Sequence, residues 1–116
     1  MKFLCLVYFE PGALAHLSRE EHQALDRESL AYDADLARRG HFIAASALQG
    51  VATASTIRRR GGKRLITDGP FAETKEVLAG FVFIEAADKA EALELASHIP
   101  VGRYASIEVR PELDLG

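Results

Sequence analysis

The chain has 116 residues, 48% of them apolar and 27% charged, with a formal net charge of −3. That length suits one domain, residues 1–116, with a real core, and the balance of apolar and charged residues excludes a disordered chain. The slight net acidity gives no global reason to bind nucleic acid or an anionic membrane, and no apolar run approaches the roughly 18 residues that a membrane-spanning helix needs.

Residues Phe3 to Phe9 are continuously apolar, rich in aromatic and branched side chains, which predicts a central strand buried on both faces. This opening is short for a signal sequence and runs into Glu10 and Pro11 without a small-residue cleavage site, so a cytoplasmic chain is expected. Cys5, the single cysteine, lies inside the run and is expected to act as a small apolar side chain. Glu10-Pro11-Gly12 ends the strand. Ser18 stands three residues before Glu21, a capping box that opens a helix running to Arg39, with Leu25, Ser29, Tyr32 and Leu36 on its inner stripe and Gly40 as its stop.

His41 to Leu48 reads as the second strand and Gln49 to Ala54 as a loop. Ser55–Arg60 and Lys63–Thr67 flank Gly61-Gly62, a strong hairpin signal, and Arg58, Arg59, Arg60, Lys63 and Arg64 give it a basic character that suits a solvated edge. The nine residues Asp68 to Glu76 follow, longer than a connection between paired strands requires. Gly80 to Ile84 is another apolar strand. Asp88 caps a helix expected to continue through Ile99, Pro100 and Gly102 stop it, and Ala105 to Arg110 alternates as a half-buried last strand. Two helices covering one face of a mostly antiparallel sheet leave the other face bare. Because both apolar strands carry apolar residues at both parities, a homodimer packed through its sheet faces is expected.

The Asp68 to Glu76 loop is the leading candidate site. Asp68 and Glu73 are candidate general bases, Lys75 can neutralise a developing anion, and Phe71 and Glu76 are candidate substrate contacts. The alternative is that Asp68 caps the turn and that Glu73, Lys75 and Glu76 pair with one another or with a second subunit. Ser29 and Tyr32 can line a cleft between helix and sheet, or belong to the helix packing. His41 is the histidine suited to act as a base there, whereas His16 and His98 lie at element boundaries where solvent is expected. His22 and Asp26 share a helix face, but no second ligand pair follows, so no metal site is expected. Arg103 can hold an acidic substrate or pair with Glu73 or Glu76. No phosphate loop, nucleophile elbow or dinucleotide fingerprint is present, and no cofactor is expected.

The stretch Asp68-Gly69-Pro70-Phe71-Ala72-Glu73-Thr74-Lys75-Glu76, with Arg103-Tyr104-Ala105-Ser106-Ile107-Glu108-Val109-Arg110-Pro111, resembles the YCII-related family in the branch marked by the Asp-Gly-Pro-Phe signature. The resemblance implies a ferredoxin-like α+β fold of the dimeric α+β barrel group, with an inserted β-hairpin, and a homodimer. It implies less about activity: genes of this branch often neighbour extracytoplasmic-function sigma factors, and a few relatives carry out lyase or dehalogenase-type chemistry on small ring compounds. In those relatives a histidine eleven residues before the helix-ending glycine is the proposed acid-base group. Ser29 stands at that position here, so that mechanism does not transfer. Two readings follow: a protein binding a small organic molecule beside the Asp68–Glu76 loop, with acid-base chemistry of lyase, isomerase or hydrolase type, or a non-catalytic partner in a sigma-factor system.

Overall fold

A computed structural model describes all 116 residues. The chain runs β1 (Lys2–Phe9), α1 (Arg19–Arg38), β2 (Phe42–Ala47), β3 (Ser55–Arg60), β4 (Lys63–Asp68), β5 (Val77–Glu85), α2 (Lys89–Ala96) and β6 (Ser106–Pro111). Four strands form one antiparallel sheet in the order β2-β5-β1-β6, while β3 and β4 pair only with each other. Setting that hairpin aside leaves the strand-helix-strand, strand-helix-strand order of a ferredoxin-like α+β fold.

The local chemistry of the sequence explains most of the boundaries. Ser18 Oγ accepts from the Glu21 amide at 3.1 Å and the Ser18 amide donates to Glu21 Oε1 at 2.9 Å, closing the capping box of α1. Those bonds hold the Glu21 carboxyl below its ordinary pKa. At the far end Gly40 takes φ +80°, a left-handed conformation that a side chain would strain. The second helix is shorter than its apolar pattern implies. It ends at Ala96, and Ile99 stays buried by leading into a 3-10 turn over Pro100–Arg103, where the proline ring suits the first helical position.

The core lies between the sheet and the two helices. Phe3, Cys5, Val82 and Ile84 meet Leu36, Ala92, Leu95, Ala96 and Ile99, and burying each large member contributes about 1.5–3 kcal/mol. Burial pushes the Cys5 thiol up to about 11. Along β1 the odd residues Phe3, Cys5 and Val7 are buried, and Leu4, Leu6 and Tyr8 point to the opposite face, where Leu4 pairs with Phe83 and Leu6 with Phe81. Those residues are only half-buried, since no element of the chain lies over them. No helix is long and apolar enough to cross a membrane.

Candidate functional site

Strand direction decides which loops meet. Since β1 runs antiparallel to both neighbours, its end at Phe9 lies beside the start of β5, where Phe9 pairs with Val77, and beside the start of β6, where Tyr8 pairs with Ser106. The turn after β1, the residues before β5 and the residues before β6 therefore converge. They enclose an open pocket of about 490 Å³ lined by Glu10, Pro11, Gly12, Ala13, Glu76, Arg103, Tyr104, Ala105 and Ser106. Gly12, at φ +84°, lets the chain reverse tightly after Glu10.

The charges in this pocket are partly balanced. Lys75 Nζ lies 3.4 Å from Glu10 Oε1, while Glu76 has no cation and accepts a long hydrogen bond from Ser106 Oγ at 3.5 Å. Arg103 Nη2 donates to Glu28 Oε2 on α1 at 2.8 Å, and its guanidinium sits 5.8 Å from the centre of the Tyr104 ring. His16 meets the same ring edge-on, with centroids 5.8 Å apart. The Arg103 and Glu28 side chains are 55% and 47% exposed, so their pair is screened by water, worth at most about 1 kcal/mol, and readily exchanged for another anion. On its other side Arg103 walls a second, more apolar cleft of about 620 Å³ between α2 and β6, with Leu93, Ile99, Ile107 and Val109.

Of the residues expected from sequence, Glu76 and Arg103 line the polar pocket, and Lys75 borders it through Glu10. The others lie elsewhere. His41 sits at the opposite end of the sheet, beside Glu85, with Nδ1 2.8 Å from the Glu85 carbonyl oxygen. Eight residues of β1, about 25 Å of extended chain, separate that end from Glu10. Tyr32 is a packing residue: its hydroxyl donates to the Leu95 carbonyl at 2.6 Å, joining α1 to α2, and burial raises its pKa. Ser29 is half-buried on α1 and lines neither cleft. The expected cleft beside α1 that would hold Ser29, Tyr32 and His41 together with the loop is therefore not formed.

The loop itself divides in two. Gly69 and Phe71 are fastened to β3, not to the body: the Gly69 amide donates to the Ala54 carbonyl at 2.7 Å, Thr56 Oγ1 to the Gly69 carbonyl at 2.8 Å, and Arg58 to the Phe71 carbonyl at 2.7 Å. Asp68 is the last residue of β4, exposed and opposite Ser55, and its side chain does not cap the turn as expected. Thr56 and Arg58 supply that role from the neighbouring strand. Glu73 is exposed, Phe71 is 74% exposed, and neither lines the polar pocket or the apolar cleft. Nor does Arg103 pair with Glu73 or Glu76; Glu28 takes that place. Sequence reasoning missed Glu10, Glu28, His16 and Ser106, and only the alternation of β6, which turns Ser106 away from the core, offered a signal.

A four-stranded antiparallel sheet under two helices, with polar side chains gathered where β1, β5 and β6 meet, defines an α+β protein of the ferredoxin-like class. The chain belongs to the YCII-related domain family, whose model matches residues 1–114. An uncharacterised protein of Rhizobium meliloti (strain 1021) is 33% identical over 113 residues, which cover 96% of this chain and 91% of that one. Among solved structures, a 5-chloro-2-hydroxyhydroquinone dehydrochlorinase from Burkholderia phenoliruptrix, in complex with 2,5-dihydroxybenzoquinone, aligns with a TM-score of 0.58 at 17% identity, covering 97% of this chain and 94% of that one.

Proposed function

We propose that this protein binds a small anionic ring compound in the polar pocket at the junction of β1, β5 and β6 and acts on it by proton transfer. The observation that carries the reading is the meeting of Glu76, Arg103, Tyr104 and Ser106 in one pocket. Arg103 exchanges its exposed partner Glu28 for a ligand oxyanion, and the Tyr104 ring offers a flat apolar wall beside it. Glu76, a carboxylate without a cation, is placed to accept a proton, with Ser106 orienting it and His16 edge-on to the Tyr104 ring. A structural neighbour that holds a hydroxylated quinone supports the choice of ligand class. The half-buried outer row of Leu4, Leu6, Tyr8, Phe81 and Phe83 supports a homodimer formed through that sheet face.

The test is a titration with 2,5-dihydroxybenzoquinone and related phenolates, followed by calorimetry and by melting temperature, which rises when a ligand binds only the folded chain. Arg103→Gln is expected to weaken binding by about tenfold or more, the equivalent of one charge-assisted hydrogen bond of roughly 1.5–3 kcal/mol. Glu76→Gln is expected to retain binding and lose any turnover. Equal affinity in wild type and Arg103→Gln would overturn the assignment.

A further inference from the structure

The β3–β4 hairpin is an arm to which only the 69–71 turn of its own chain is fastened. It shares no ladder with the four-stranded sheet, and none of its side chains joins the buried core. Two-stranded hairpins are marginal in water unless something covers a face. Yet this one keeps an unbroken register of six pairs, from Ser55 opposite Asp68 to Arg60 opposite Lys63. Its reach shows in the shape of the molecule: the radius of gyration is 16.2 Å, where a compact chain of this length gives about 13 Å.

What covers it is indicated by what it displays. Ile57 and Ile66 pair directly and are 65% and 56% exposed, and Arg59 and Arg64 pair beside them on the same face. Phe71 is pinned next to the arm by the Thr56 and Arg58 bonds and stands open to solvent. Residues 55–68 hold five cations and one acid, a net of +4, which leaves nine cations and 16 acids, a net of −7, on the rest of the chain. The two parts are complementary, yet none of the arm's five cations forms an ion pair with the body of its own chain. A body of the same charge exists on every other copy.

We infer that the arm is a docking device for a second copy of this chain, laying Ile57 and Ile66 on the acidic body of its partner with Arg59 and Arg64 beside them and Arg60 and Lys63 at the tip. The inference rests on the homodimer proposed above and extends it, because the arm leaves from β2 and returns to β5, the strands that border the half-buried outer sheet face. A nucleic-acid partner fits less well. Arg58 is committed to the Phe71 carbonyl, the remaining cations divide between the two faces of the hairpin, and two open isoleucines have no phosphate to meet.

Zero-length coupling tests this arrangement. Heavy-nitrogen-labelled and unlabelled protein are mixed and treated with a carbodiimide, which joins an amine to a carboxylate in contact with it. Peptides that join Lys63 of one label to an Asp or Glu of the other are expected, and added salt should reduce their yield. In parallel, the Ile57→Glu/Ile66→Glu double variant should sediment with a self-association Kd raised about tenfold, a change of roughly 1.4 kcal/mol. Its circular-dichroism melt at dilution should stay close to wild type, because these side chains are mostly exposed and join no core within one chain. If wild type sediments as a dimer and Lys63 links only within one label, the arm inference falls and the sheet-face dimer stands. A wild type that stays monomeric at high concentration overturns both. Tight binding of a fluorescent duplex by the arm, abolished by Lys63→Glu, overturns the choice of partner.

Discussion

Replacing Gly80 by alanine should loosen the sheet at its second seam. Gly80 is buried in β5 between Val7 of β1 and Ala47 of β2, and a Cβ built there would stand 2.6 Å from the Ser46 carbonyl oxygen and 3.2 Å from the Ala47 Cα. A carbon resting against a carbonyl oxygen keeps about 3.3–3.6 Å, so the shortfall is roughly 0.7 Å. The obstacle is backbone held in a ladder and cannot rotate away as a side chain would. Crowding of this kind costs about 1–3 kcal/mol. Alanine recovers roughly 0.4–1 kcal/mol by restricting the unfolded chain, which leaves a net loss of about 1–2 kcal/mol. With unfolding entropy near 2.1 cal/mol/K per residue, a chain of 116 residues loses about 4 °C in Tm for each kcal/mol, so the variant should melt about 4–8 °C lower. Scanning calorimetry reads the shift, and urea titration with an unchanged slope confirms that the unfolded state is the same. Gly50 is the control: its φ of −61° suits any residue and nothing lies near its Cβ position, so Gly50→Ala should hold or raise the Tm. A Gly80→Ala protein that melts at or above the wild-type temperature would refute the reasoning.

Tyr32→Phe removes the hydroxyl that joins α1 to the Leu95 carbonyl, while that carbonyl keeps the His98 amide at 3.3 Å. The expected loss is about 1 kcal/mol, or about 4 °C, with unchanged affinity for the phenolate probes; a fall in affinity would return Tyr32 to the binding site. Acid stability should depend on two aspartates with opposite signs. Asp35 is held below the ordinary value of 3.8 by Arg39 and Arg38, so it contributes stability above that value and loses it as pH falls through its lower folded pKa. Burial raises Asp33, so its ionisation opposes folding above 3.8, and acidification through its folded pKa relieves that strain. In a series of melts across acid pH, Asp35→Asn should flatten the fall below 3.8, and Asp33→Asn should raise the Tm at neutral pH.

The fold was legible where a few neighbouring residues decide the outcome. Ser18 and Glu21 announce α1, Gly40 ends it, and Gly61-Gly62, at φ +56° and +77°, turns the hairpin. The parity of Phe3 to Phe9 also announced two apolar faces, and the structure keeps both. The site was less legible because its members come from distant parts of the chain. Glu28 meets Arg103 across 75 positions, and Ser106 meets Glu76 across 30. The nine residues from Asp68 to Glu76 read as a unit because they share composition and lack periodicity. Their first part is tied by Thr56 and Arg58, and their last part reaches Glu10 and Ser106, a division that no local pattern encodes.

The position of β1 also sets the tempo of folding. It lies between β5 and β6, with Phe3 opposite both Ile84 and Pro111, so β1 waits for β6, synthesised well after it, before its backbone is satisfied on both sides. At synthesis rates of about 5–20 residues per second, the intervening hundred or so residues take on the order of 5–20 s. During that interval a strongly apolar segment of the nascent polypeptide has an open edge, the condition under which chaperone capture competes with aggregation.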